Sequence, residues 1–175
     1  KRQPLNNPSL FQRVQDVMDA SGLFFQNARD DLGFAGSGKI VRILQPEWSQ
    51  DILSQPLMEL IGELKTEREK QEENAAAKDE LADMAARMEE AQASLKVLMD
   101  MTEEGHVYWA ERSGPDGRNM SVCSAPVEVG DILRERLFSA GRSAILTSAT
   151  LGTGDADMSY FAGRVGAESV RKLQI

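Results

Sequence analysis

Leu81-Ala82-Asp83-Met84-Ala85-Ala86-Arg87-Met88-Glu89-Glu90-Ala91-Gln92-Ala93-Ser94-Leu95-Lys96-Val97-Leu98 decides the fold. Leu81, Met84, Met88, Ala91, Leu95 and Leu98 recur at alternating spacings of three and four, which predicts a helix with one apolar stripe of coiled-coil type. A second stripe lies upstream at Leu57, Leu60, Ile61 and Leu64. From Leu64 to Leu81 is 17 residues, three more than two heptads, and residues 65–80 hold almost nothing apolar larger than alanine. A single straight rod would carry the two stripes on different faces. Two antiparallel helices with a turn near Glu72 to Ala75 remove the conflict, a continuous helix with a stutter being the alternative. Met84, Met88, Met99 and Met101 read as adaptable core.

Upstream, Pro8-Ser9 followed by Leu10, Phe11, Val14, Val17 and Met18 predicts an amphipathic helix capped by the serine, reaching Phe24-Phe25 with a break at Ser21-Gly22. Gly33, Gly38 and Lys39 fall at fixed positions of a phosphate-binding loop. The residue after the lysine is Ile40 where Ser or Thr would hold magnesium, and Ala28 to Leu32 is no buried strand. The stretch reads as a glycine loop leading into a short strand, Lys39 to Leu44, ended by Pro46.

Downstream of Gly105 the pattern turns to strands. Val107 to Ala110 and Met120 to Ala125 flank the turn-forming Ser113-Gly114-Pro115-Asp116-Gly117, predicting a hairpin with Trp109 in the core. A helix follows, with Asp131 as N-cap, over Ile132 to Phe138 and stopped by Gly141; the last helix is Ser159 to Val165 with Gly166 after it. Between them, Ser143-Ala144-Ile145-Leu146-Thr147-Ser148-Ala149-Thr150 is an apolar run ending in small hydroxyl residues. It reads as a buried strand with functional groups at its C-terminal end. Thr147, Ser148 and Thr150 can donate and accept hydrogen bonds but need a base to do chemistry, so they read as relay or positioning groups. Turn closure or helix capping is the plainer use of such residues.

Charge narrows the function. Residues 51–104 hold 15 acids against 6 bases, while 105–175 balance at 8 and 8 and residues 1–50 carry 5 acids and 6 bases. A net charge of −8 concentrated in the helical middle argues against a free-standing, high-affinity nucleic-acid binder. The lone Cys123 reads as a small core hydrophobe and cannot build a disulfide or a cysteine-based metal site within these residues; His106 has no second histidine for ligation or a triad. No apolar run approaches the roughly 20 residues that span a bilayer, and a soluble, cytoplasmic protein is expected. The start at Lys1 and the end in mid-pattern at Ile175 read as an excised piece of a longer protein.

Four runs occur in order: Val107-Tyr108-Trp109-Ala110-Glu111, then Ser124-Ala125-Pro126-Val127-Glu128-Val129-Gly130, then Thr147-Ser148-Ala149-Thr150-Leu151, then Tyr160-Phe161 with Arg164-Val165-Gly166. Together they resemble the DinG and XPD-like family of superfamily 2 DNA helicases, over roughly residues 105–175. In that family the Thr-Ser-Ala-Thr run is motif III, in the first motor domain after the DEAH box, and a helical insertion called the Arch domain separates the two. The resemblance implies an Arch-like insertion over 1–104, with its acidic hairpin at about 48–104, and the C-terminal part of motor domain one over 105–175.

The expected class is therefore α+β: a mainly helical bundle or hairpin, then a small α/β segment with a β-hairpin and a buried motif III strand. The resemblance implies a parent that hydrolyses ATP with magnesium, translocates on single-stranded DNA and separates strands, in DNA repair or replication. These residues would hold no catalytic group and no ATP, magnesium or other metal site. Thr147, Ser148, Ala149 and Thr150 would couple the nucleotide pocket to the DNA-facing side, and an exposed sheet edge would drive self-association of the piece. The contrasting expectation is a non-enzymatic coiled-coil interaction module whose stripe from Leu81 to Leu98 binds a partner helix.

Overall fold

Asn7 sets where the first helix begins. In the computed structural model, which describes residues 7–34, 38–71, 74–139, 141, 143–147 and 158–171, its Oδ1 accepts from Leu10 N at 3.1 Å. Pro8 then takes the first helical position, where its missing N–H costs nothing, and α1 runs Pro8–Leu32. The cap is thus Asn7 and not Ser9, and Gly22 does not break the helix. One interior glycine costs about 1 kcal/mol, and packing beyond it by Phe24 and Ala28, both buried, outweighs that. Gly33 ends the helix at φ 55° and donates to Arg29 O at 3.2 Å.

The two stripes fold as a hairpin. The Asp51 carboxylate accepts from the amides of Leu53 and Ser54 at 3.1 and 2.9 Å, opening α2, Ser54–Lys70; Asn74 accepts from Ala77 N at 3.1 Å, opening α3, Ala75–Asp100. Leu60 and Leu64 pack with Leu81 and Ala85, and Lys65 pairs with Glu89 at 2.5 Å, so the helices run antiparallel. All four predicted α2 residues, Leu57, Leu60, Ile61 and Leu64, are buried. On α3 the buried or half-buried face is Leu81, Ala85, Met88, Gln92, Leu95 and Met99. The alternation of three and four holds, but Ala85, Gln92 and Met99 take the places expected for Met84, Ala91 and Leu98, of which Leu98 is still half-buried against the main core. Turning the small Ala85 inward lets α2 approach closely.

α1 runs antiparallel to α2 and packs Leu10 and Val17 on the same cluster: Asn7 Nδ2 donates to Glu67 Oε2 at 2.7 Å and Glu63 Oε1 at 3.1 Å, while Arg13 meets Glu59 at 2.5 Å. The main core joins Phe24, Ala28, Ile43, Trp48, Leu57 and Tyr108 with the end of α3. Trp48 stacks edge-on to Phe24 at 6.0 Å and donates to Leu98 O at 2.9 Å, satisfying its one polar atom.

That core is closed by a three-stranded antiparallel sheet in the order β1 (Ile40–Ile43), β2 (His106–Ser113), β3 (Asn119–Pro126), the last two joined by a 3₁₀ turn, Pro115–Gly117. The register pairs Val41 with Ala110 and Ile43 with Tyr108, and of these Ile43, Tyr108 and Ala110 are buried. The alternation of a strand then sends Arg42 and Trp109, also paired, to the other face. Trp109 is accordingly half-buried there, and Tyr108 is the core aromatic of the strand. The fold is the α+β class expected, a helical hairpin followed by a β-hairpin.

Contacts divide the chain into two compact units, Lys1–Ala125 and Pro126–Ile175. The β-hairpin sits in the first because β1, upstream of the helices, pairs with β2, downstream of them. In the second unit α4 (Gly130–Leu133) continues as a π-helical turn, Arg134–Phe138, and α5 is Ser159–Val165, ended by Gly166 at φ 69°. Asp131 lies inside the first turn of α4 and does not cap it.

One expectation is corrected here. Ser143 to Thr147 is exposed coil and not a buried strand: Ile145 is 88% exposed and Leu146 42%. A strand needs a neighbour to take its backbone hydrogen bonds, and among the described residues of this unit there is no second strand to supply one.

Candidate functional site

Of the four residues expected to carry coupling, Thr147 is placed, in the exposed coil that ends the apolar run. Ser148, Ala149 and Thr150 lie outside the described residues. What the structure does show is the frame around this run.

That frame is a joint between the two helices. Gly130, buried at the start of α4, meets Gly163 and Gly166 of the α5 end backbone to backbone. A Cβ on Gly166 would stand 1.9 Å from Gly130 O, and one on Gly130 would stand 3.1 Å from Gly163 O. Ala162 and Ala167, both buried, complete the contact, with Ala167 N donating to Ala162 O at 2.8 Å.

Two ion pairs cross the joint in opposite senses. Arg134 Nη2 lies 2.9 Å from both Glu168 oxygens, its Nη1 also meeting Asp131, and Arg164 Nη1 lies 2.5 Å from Glu128 Oε1. Glu128 and Arg164 lie in two of the resembling runs, where the sequence reading does not pair them, and Arg134 and Glu168 carry no role in that reading. The signal was present: Glu128-Val129-Gly130 and Arg164-Val165-Gly166 each place a charge two residues before a glycine, with opposite signs.

The remaining candidates resolve as structure. Gly33 is a helix cap and Gly38-Lys39 precedes a strand, so helix and strand stand in the reverse of the order a phosphate loop requires. A depression of about 940 Å³ in the first unit carries Asp30, Asp31, Glu47, Asp51 and Asp100, a lining that repels phosphate. Among the described residues no group of three or more His, Cys, Asp or Glu is placed to hold a metal ion.

Cys123 is half-buried, and burial, then the negative charge of Glu111, pushes its thiol up, away from the reactive thiolate. His106 opens β2 and lies 3.4 Å from Glu103.

No helix among the described residues is long and apolar enough to cross a membrane. Comparison of the chain with protein-family models, with curated proteins and with solved structures found no match in any of the three.

Proposed function

We propose that this chain is the Arch-like insertion and the end of the first motor domain of an ATP-dependent DNA helicase of the DinG or XPD type. In the longer protein, ATP hydrolysis with magnesium at residues outside this chain would drive translocation on single-stranded DNA and strand separation, in repair or replication.

The observation that carries the reading is the joint. Two of the four resembling runs, Glu128 to Gly130 and Arg164 to Gly166, are 36 residues apart from Glu128 to Arg164 yet meet in backbone contact. The chain between them contains Thr147 to Thr150. Runs chosen for their resemblance thus belong to one local structure. The helical hairpin just ahead of β2 supports the insertion, and the exposed apolar Ile145 and Leu146 suit a segment that the rest of a motor domain would cover.

On this reading the hydroxyls of Thr147, Ser148 and Thr150 exchange hydrogen bonds as the motor cleft closes, each worth about 1 kcal/mol net. Ser148→Ala with Thr150→Ala in the longer protein should leave ATPase activity largely intact and abolish most strand separation. Wild-type unwinding by that double variant would remove the assignment.

A second reading, the coiled-coil interaction module, gains from the exposure of Ser143 to Thr147, which a central strand would not show. It loses from α3, whose Leu81, Ala85, Leu95 and Met99 are covered by this chain's own core and leave little stripe for a partner helix.

A further inference from the structure

The cations of the first unit fall into two sets. Those on the helical hairpin face carboxylates: Lys65 meets Glu89, Arg87 meets Asp83 and Lys96 meets Asp100. Arg29, Lys39, Arg112 and Arg118 gather instead where α1 ends beside the sheet, and there Arg29 and Arg112 hold backbone carbonyls. Arg29 Nη2 donates to Arg118 O at 2.6 Å, and its Nε is buried with no acceptor among the described residues. Arg112 lies over the Phe34 ring, 4.6 Å from its centre, and its Nη2 donates to Gly38 O at 2.8 Å.

Four segments bring these cations together. Arg112 N donates to Lys39 O at 2.7 Å, which continues the β1–β2 register by one pair and sets Lys39 directly opposite Arg112 on one face of the sheet. The 3₁₀ turn folds back on Arg112, so that a Cβ on Gly117 would stand 3.6 Å from Arg112 Cβ. Arg118 follows that turn, and its carbonyl ties in Arg29 from the last turn of α1. Alternation sends Glu111 to the opposite face, where it accepts from Trp109 Nε1 at 3.3 Å, while Asp30 and Asp31 line the acidic depression. Against the four cations the turn carries Asp116, a local excess of three positive charges in a chain of net charge −8.

Stability does not call for this arrangement. Like charges directly opposite on two strands destabilise a sheet, and the helix dipole favours a cation only at Arg29. A multivalent anion would offset the repulsion. Guanidinium groups match phosphate oxygens, and ones already oriented by a carbonyl and a ring lose little freedom on binding. Cations running from Lys39 through Arg112 and Arg118 to Arg29 exceed what one phosphate engages, and so fit a chain of phosphates. Phe34 packs against the core and carries Arg112, so the contact falls on the backbone of such a chain and not on its bases.

Resting on the motor reading above, we propose that Arg29, Lys39, Arg112 and Arg118 form a contact site for the phosphodiester backbone of single-stranded nucleic acid, bound without regard to sequence. The acidic remainder of the unit repels phosphate, so the contact is local, weak and salt-dependent.

The probe is a fluorescent oligothymidine of about 15 nucleotides, added to this chain at low salt. Three excess charges, at about 0.7 per phosphate, give a log–log slope of affinity against salt of about −2. Lys39 and Arg118 are exposed, and Arg118→Ala keeps the carbonyl that Arg29 holds. Lys39→Ala with Arg118→Ala should weaken binding about five- to tenfold and flatten the slope by about 1.4, with urea unfolding unchanged. Arg87→Ala on α3 should alter neither. Absence of binding at low salt, or an equal loss in Arg87→Ala, overturns the site. Competition by polyglutamate as strong as by unlabelled oligothymidine would make it an acidic-peptide site, and competition by inorganic phosphate at equal phosphate concentration a single-anion site; either result overturns the nucleic-acid assignment. If the probe binds here but Ser148→Ala with Thr150→Ala unwinds normally in the longer protein, the motor reading falls and the contact stands. If that double variant uncouples and the probe does not bind, the contact falls alone.

Discussion

In the first unit the apolar stripes of the helical hairpin end in burial: Leu57, Leu60, Ile61, Leu64, Leu81 and Leu95 are all buried, and Phe24, Trp48 and Tyr108 are buried with them, although Phe11, Val14 and Met18 on the expected apolar face of α1 are exposed. In the second unit the order is inverted. Its longest apolar run, Ala144 to Leu146, is exposed, and its closest packing among the described residues is the glycine contact with the buried Ala162 and Ala167. The difference teaches where each unit's stability originates. Burying a leucine contributes about 1.5–3 kcal/mol, so the first unit carries its own driving force, whereas the second depends on steric fit within a few residues.

The sharpest way to break this contrast is Leu81→Ala. Leu81 is 1% exposed at the centre of the hairpin contact, and its truncation should cost about 2–5 kcal/mol in urea unfolding of the first unit. A loss below about 1 kcal/mol would mean that the hairpin can collapse onto the gap and is not closely packed. In the second unit the largest effect should come from an added methyl, not a removed one. Gly166→Ala forces a left-handed residue, a strain of about 1–3 kcal/mol, and drives a Cβ to 1.9 Å from Gly130 O. Amide exchange over Ser159 to Val165 should rise sharply. Protection as in wild type would show that the joint is not in contact.

Asn7 joins the two kinds of stabilisation within the first unit, capping α1 and feeding the buried Glu67 on α2. Burial pushes the Glu67 carboxyl up, but hydrogen bonds from Asn7 first, then Lys70 and Gln71, bring it below its ordinary 4.5. Its stabilisation is therefore complete above that value and lost as pH falls through the lower folded one. Asp51 acts in the same sense: burial raises it, and its bonds at the start of α2 lower it further. Asn7→Ala should cost about 1–2 kcal/mol at neutral pH and flatten the decline in the urea midpoint between about pH 5 and 3. An unchanged acid limb would remove Glu67 from the account.

The contrast between the units also explains what could be read from sequence. Where burial is decided by neighbours in sequence, the reading held: the 17-residue interval between Leu64 and Leu81 required a turn, and Gly166 ended α5 where expected. The phase of α3 was less legible, because Met84 and Ala85 are adjacent and only the closeness of α2 decides which turns inward. Trp109 was misplaced for a similar reason, since Tyr108 and Trp109 compete for one face and the pairing with β1 settles it. Ser143 to Leu146 has the composition of a buried strand, but burial there depends on strands that this unit's described residues do not contain. The ionic joint was hidden because its partners lie 34 and 36 residues apart.

The smallest expected change is the most telling about the second unit. Ile145→Ser with Leu146→Ser removes two large apolar side chains, which in the first unit would be ruinous. Here Ile145 already faces solvent, so both units should unfold within about 0.5 kcal/mol of wild type. Exposed apolar runs do have a consequence at high concentration, where chains can cover them by association. Sedimentation should therefore show less self-association in the double variant at unchanged stability. A loss above about 1 kcal/mol would mean that Ile145 and Leu146 are buried in solution, and the second unit would then hold itself together as the first does, by apolar packing. Equal stability with reduced association instead isolates the run as a surface that asks for a neighbour, the property the motor reading assigns to a strand taken from the interior of a larger sheet.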